Sequence, residues 1–167
     1  MLNKLQNWDG KSSEDISRIY KQHHMDMGFA ERLFDWPNDD PHIQKGLSWL
    51  LKRHCDNGAT FEAKLSNNLL PHLKTMPHWE TALHILQSIA SLEISNDQLK
   101  AWEQFIRLCL AQDNKFVRAW SYYAFAVLSR RFPNYKEEAR QLVEMALRDE
   151  APSVKARIRQ MQEQGLC

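Results

Sequence analysis

Four stretches of this chain are variants of one another: PHIQKGLSWLL at 41–51, PHWETALHILQ at 77–87, KFVRAWSYYAF at 115–125 and PSVKARIRQMQ at 152–162. With Ile43, Trp79, Val117 and Val154 taken as equivalent anchors, the intervals are 36, 38 and 37 residues. A unit of that size cannot bury its own apolar face, so successive units must stack on one another. In the first three copies mostly apolar or small residues (Gln87 excepted) return three, four, seven and eight places after the anchor, which is one face of an α-helix. Gly46, Leu47, Leu50 and Leu51 fill those places in the first copy, Ala82, Leu83 and Leu86 in the second, and Trp120, Ala124 and Phe125 in the third. Trp120 is therefore expected as a core side chain. The fourth copy keeps Ile158 and Met161 but has Arg157 where the third has Trp120. A charge at that place reads as a solvated outer cap.

Helix punctuation recurs with the same period. Asn57-Gly58 closes one segment as a left-handed cap. Pro41, Pro77 and Pro152 stand where a first helical turn tolerates proline, since its missing N–H would be unpaired there. Helices are expected at about 13–24, 27–35, 41–56, 60–75, 77–92, 96–112, 115–132, 134–149 and 152–164, the first opened by Ser12 and Asp15. Five Gly, six Pro and little Val or Thr favour helix over sheet. The expected fold is all-α: a right-handed α-α superhelix of about four helix pairs in a single domain, 1–167. The pairs fall at about 27–57, 58–93, 94–132 and 133–164. The extra helix at 13–24, with Ile16, Ile19 and Tyr20 turned inward, is expected to cap one end.

A two-helix unit of this period belongs to the HEAT/armadillo class, and the detail resembles HEAT repeats. Asp113 before Val117-Arg118, and Asp39/Asp40 before Ile43, look like the Asp…Val-Arg pattern that opens the second helix of that repeat. The likeness covers residues 27–164. Val-Arg is intact in the third copy, Val154-Lys155 is a close variant, and Ile43-Gln44 and Trp79-Glu80 depart from it. The resemblance implies an Asp–Arg ladder between repeats.

Catalytic and cofactor chemistry find little support. GxSxG and GxxxxGK[ST] are absent, so neither a serine nucleophile nor a phosphate loop is expected. His42 and His78 hold equivalent places, but stacked repeats lie ~10 Å apart, too far for ~2 Å bonds to one zinc ion. No HExxH or i,i+4 His pair occurs, and no catalytic residue, metal site or cofactor is expected. Cys55, Cys109 and Cys167 form no CxxC and read as reduced thiols. With no secretory leader and no membrane-length apolar run, the expected location is cytoplasmic, away from membranes.

Binding is what remains. The formal net charge is +1, divided as −2 over 1–112 and +3 over 113–167, so no global attraction to polyanions is expected. Trp49, Ile85 and Tyr123 lie six places past their anchors, and Ser48, His84 and Tyr122 lie five past. These positions form either a partner-binding strip or packing between neighbouring second helices. Arg118 likewise has two roles open: contact with a ligand, or pairing with Asp113, Asp149 or Glu150 in the turns. The expected partner-binding residues are Trp49, His84, Arg118, Tyr122 and Tyr123. The expected function is a non-enzymatic adaptor or scaffold holding a protein or peptide. Nucleic acid is the disfavoured alternative, through likeness to the HEAT-like alkylpurine DNA glycosylases. For that activity Trp49, Tyr122 and Tyr123 with Glu80 and Arg118 are the matching residue types.

Overall fold

A computed structural model describes residues 1–37, 40–74 and 78–166. In chain order the α-helices are α1 (Leu2–Gln6), α2 (Ser13–His23), α3 (Phe29–Arg32), α4 (Pro41–Asp56), α5 (Ala63–Ser66), α6 (Leu70–Leu73), α7 (Trp79–Ser88), α8 (Leu99–Leu110), α9 (Lys115–Arg131), α10 (Lys136–Asp149) and α11 (Pro152–Glu163). Among the described residues there is no strand, only an isolated bridge between Phe61 and Leu92. None of these helices is long and apolar enough to cross a membrane.

Local chemistry sets the helix starts. Asp40 accepts from the Ile43 N–H at the head of α4, Asn114 from the Phe116 and Val117 N–H groups at the head of α9, and Ser12 from Asp15 at the head of α2. Each satisfies donors that a helix start leaves unpaired. Pro41 and Pro152 occupy first positions; Asp39, Pro77 and Cys167 lie outside the described residues.

Two expected helices are shorter than their patterns. The one at 60–75 is broken: α5 stops at Ser66, a 3₁₀ turn spans Asn67–Leu69, and α6 restarts with Pro71 in its first turn. Proline lacks the N–H that a continuous helix would need there. The helix expected at 27–35 is only α3, whose chain then runs into Trp36-Pro37, where the residue before proline leaves the helical region. Helix α1 was not expected; five residues are too few for a periodic signal.

The repeated segments pack in the order of their repetition: α4 on α7, α7 on α9 and α9 on α11. Helix α8 lies on α6 and α9, α10 on α9 and α11, and α1 and α2 on α4. Positions seven past the anchors (Leu50, Leu86, Ala124 and Met161) are all fully buried. The anchor register slips in the second copy. His78 caps α7, so Trp79 is only its first residue and stays 41% exposed. Trp120 is half-buried rather than enclosed.

Helix α1 is held by a notch. His42 Nε2–H donates to the Leu5 carbonyl at 2.9 Å, and Leu5, fully buried, sits over Gly46. A Cβ built at Gly46 would lie 2.8 Å from Leu5 Cδ2. Gly46→Ala should therefore cost about 1–2 kcal/mol, because overpacking outweighs the gain in helix propensity. In a Leu5→Ala background the same change should be neutral or stabilising. Urea titration of the double-mutant cycle measures the difference.

Candidate functional site

Arg118 sits in the first turn of α9, and its guanidinium is wholly engaged. Nε and Nη2 donate to the two oxygens of Glu150 at 2.8 and 3.0 Å, while Nη1 donates to the carbonyls of Gln112 and Asp113 at 2.8 and 2.9 Å. Tyr122, one turn on, donates to Glu150 Oε1 at 3.2 Å. Glu150 ends α10, so the cluster ties α9 to the turn before α11. The Arg118 hydrogen bonds, helped by the Ala151 N–H and Tyr122, hold the Glu150 carboxyl below its ordinary range. Of Asp113, Asp149 and Glu150, the carboxylate that pairs with Arg118 is thus Glu150; Asp113 contributes its main-chain oxygen. Arg118 and Tyr122 meet on Glu150, each engaged in an internal hydrogen bond.

The other expected residues are spread along the row. Ile85 is fully buried, whereas Trp49 and Tyr123 are half-buried against the same core. The Trp49, Ile85 and Tyr123 row is therefore enclosed at its middle place and partly accessible at its ends. His84 lies against α4: its Nδ1 is 3.0 Å from Ser48 Oγ, and the Ser48 hydroxyl donates to the Lys45 carbonyl. The Ser48 oxygen must then accept from His84 Nδ1–H, leaving Nε2 as the basic nitrogen. Ser48 is fully buried with its proton engaged, so this pair is no activated nucleophile. Lys45 pairs with Glu80 beside it.

Burial pulls the His84 imidazole down to about 4; Glu80 opposes that shift, and Lys52 and Lys45 reinforce it. Below its ordinary value of 6.5 the unfolded chain takes up a proton that the folded chain refuses. Stability should therefore fall as pH drops from about 6.5 to about 4, by on the order of 2–3 kcal/mol from this group. His54 and His72 are shifted down by burial too and act in the same sense. His84→Asn, which keeps a donor for Ser48, should flatten the slope of the urea midpoint against pH; an unchanged slope would assign it to other groups.

Sequence reasoning placed Trp120 in the core and Arg157 in solvent, and the structure brings them together. Trp120 and Tyr123 meet edge-to-face, 5.1 Å between centroids at 75°. The Arg157 guanidinium from α11 lies 3.6 Å above the Trp120 ring and 5.1 Å from that of Tyr123. Nη1 of Arg157 donates to Gln160 Oε1 at 2.8 Å. The available signal was an arginine at a place where the other copies have Gly, Ala and Trp.

Several of the basic residues in the last two copies are likewise engaged: Arg118 as above, Lys155 on the Arg148 carbonyl at 2.8 Å, and Arg131 on the carbonyls of Leu92 and Ala90. Among the described residues no three His, Cys, Asp or Glu side chains converge as metal ligands would. The arrangement sets half-buried aromatics on a row of packed helices, with a guanidinium layered on two of them. Compared with protein-family models, with curated proteins and with solved structures, the chain matches none.

Proposed function

We propose that this chain is a HEAT-like helical-repeat module whose row of second helices, α4, α7, α9 and α11, holds a protein or peptide partner. On this reading the units at about 27–57, 58–93, 94–132 and 133–164 wind as a right-handed superhelix with that row as its inner layer. Packing of the four helices in their order of repetition supports it. The observation that carries the binding role is the half-buried set Trp49, Trp120 and Tyr123 on this row, with His84 between. Aromatics that are neither enclosed nor fully solvated are the side chains that most often anchor interfaces. A duplex-DNA role is less well supported, because Arg118 and Glu80 are each spent on an internal ion pair.

The test is affinity capture from native extract with the full chain, alongside Trp49→Ala and Met145→Ala variants. Met145 is an exposed residue of the outer helix α10. A protein retained by the parent and by Met145→Ala but lost with Trp49→Ala, at unchanged circular dichroism, supports the reading. Retention indifferent to Trp49 sinks it. Salt-dependent affinity for duplex DNA would turn the assignment to nucleic acid.

A further inference from the structure

Arginines withdrawn from solvent normally find an acceptor, because an unpaired charge is costly away from water. Arg118 has Glu150, Arg131 has two carbonyls, and Arg32, whose Nε is likewise unpaired among the described residues, has the Met27 carbonyl and Asp26. Arg157 differs in having neither a carboxylate nor a main-chain carbonyl among the described residues. It is half-buried, and among the described residues its Nε, shut off from water, has no hydrogen-bond partner and its one acceptor is the neutral Gln160. Among the described residues no carboxylate lies within ion-pair distance of it. Burial lowers its pKa, with only Tyr123 acting against that shift. The group is nevertheless well fixed. A guanidinium stacked on an indole keeps its Nη2 donors for a carboxylate, and stacking spares it much of the ordering cost of binding. The Tyr123 hydroxyl beside it also has no partner among the described residues.

We infer that Arg157, laid on Trp120 and Tyr123, receives a carboxylate from an acidic side chain of the protein partner. This rests on the protein-binding reading above and adds the chemistry that the partner must carry. Charge complementarity supports it: a lone desolvated cation on an aromatic platform is completed by one anion flanked by apolar groups. A nucleic-acid backbone would need a track of cations, and the neighbouring Arg118, Arg131 and Lys155 are all engaged.

Two short fluorescein-labelled peptides test this, one alternating glutamate with leucine and one alternating glutamine with leucine. Anisotropy titrations would compare the full chain with Arg157→Gln, Arg157→Lys and Arg159→Gln. Arg159 is exposed, so its variant makes the same change in net charge away from the platform. The glutamate peptide should bind more tightly than the glutamine peptide. That preference should shrink by about tenfold or more in Arg157→Gln and substantially in Arg157→Lys, since lysine lacks the planar fork. Arg159→Gln should leave it intact. A stacked arginine serving only to pack would change the melting temperature without changing the preference between the peptides. Equal binding of both peptides, binding of neither, or equal losses with Arg157→Gln and Arg159→Gln each overturn the inference. So does competition by inorganic phosphate as strong as by the glutamate peptide, which would assign the site to phosphate. If extract capture still depends on Trp49 while any of these holds, the binding role stands and only the carboxylate fails.

Discussion

Trp102→Ala should lower the free energy of unfolding by about 3–5 kcal/mol, more than any other single truncation considered for this chain. Trp102 is fully buried in α8, edge-to-face with Phe105 at 6.3 Å between centroids. Removing the indole leaves a large apolar void among side chains that cannot close over it. One term acts the other way: among the described residues the indole N–H has no acceptor, and an unsatisfied buried donor costs about 1–3 kcal/mol. Trp102→Phe, which removes that donor and keeps most of the volume, should therefore fall within about 2 kcal/mol of the parent. Trp120→Ala, from the repeat segment itself, should cost less than Trp102→Ala, because its ring is half-buried with Arg157 on one face. Urea denaturation of the three variants ranks them. A larger loss at Trp120 than at Trp102 would mean that α9 is seated differently.

Glu150→Ala is the second large effect, expected at about 3 kcal/mol, the low end for breaking a buried ion pair. The Arg118 and Glu150 side chains are 22% and 13% exposed, so solvent screens the pair only in part. The alanine leaves the Arg118 guanidinium and the Tyr122 hydroxyl without their acceptor. Glu150→Gln, which keeps one carbonyl oxygen, should lose less. Asp113→Ala should cost well under 1 kcal/mol, since Arg118 uses only the main-chain oxygen there. That contrast decides which carboxylate serves the seam. The Glu150 carboxyl is held below its unfolded value, so its stabilisation is complete above that value and is lost as pH falls toward the folded one. The two variants should therefore converge with the parent in acid.

How much of this could be read from the sequence depended on the range of the interaction. The Ser12–Asp15 start of α2 is a bond three residues long, and the interval of 36 to 38 residues brought Leu50, Leu86, Ala124 and Met161 to equivalent buried places. The helix expected as continuous at 60–75 is broken, and Pro71 inside that pattern was the signal passed over. The seam was legible only as a short set of carboxylates, because Glu150 lies 32 residues from Arg118. Trp79 misled because apolar periodicity says nothing of where a cap starts the helix. Arg157 misled because its charge suggested solvent, while a guanidinium has a flat face that behaves as apolar surface.

The apolar interior is divided: one cluster runs from Leu5 to Ala139, and a smaller one joins Ala119, Tyr122, Ala126, Val143, Ala146, Val154, Ile158 and Met161. Helix α11 draws its buried residues from the smaller cluster alone, so it can open without the rest of the chain unfolding. Amides of α11 should exchange with solvent ahead of those in α4, α7 and α8, and Glu150→Ala should widen that gap. Arg157 departs with α11 whenever it opens. A ligand held there would slow α11 exchange in proportion to its occupancy, so the helix serves as its own reporter of binding.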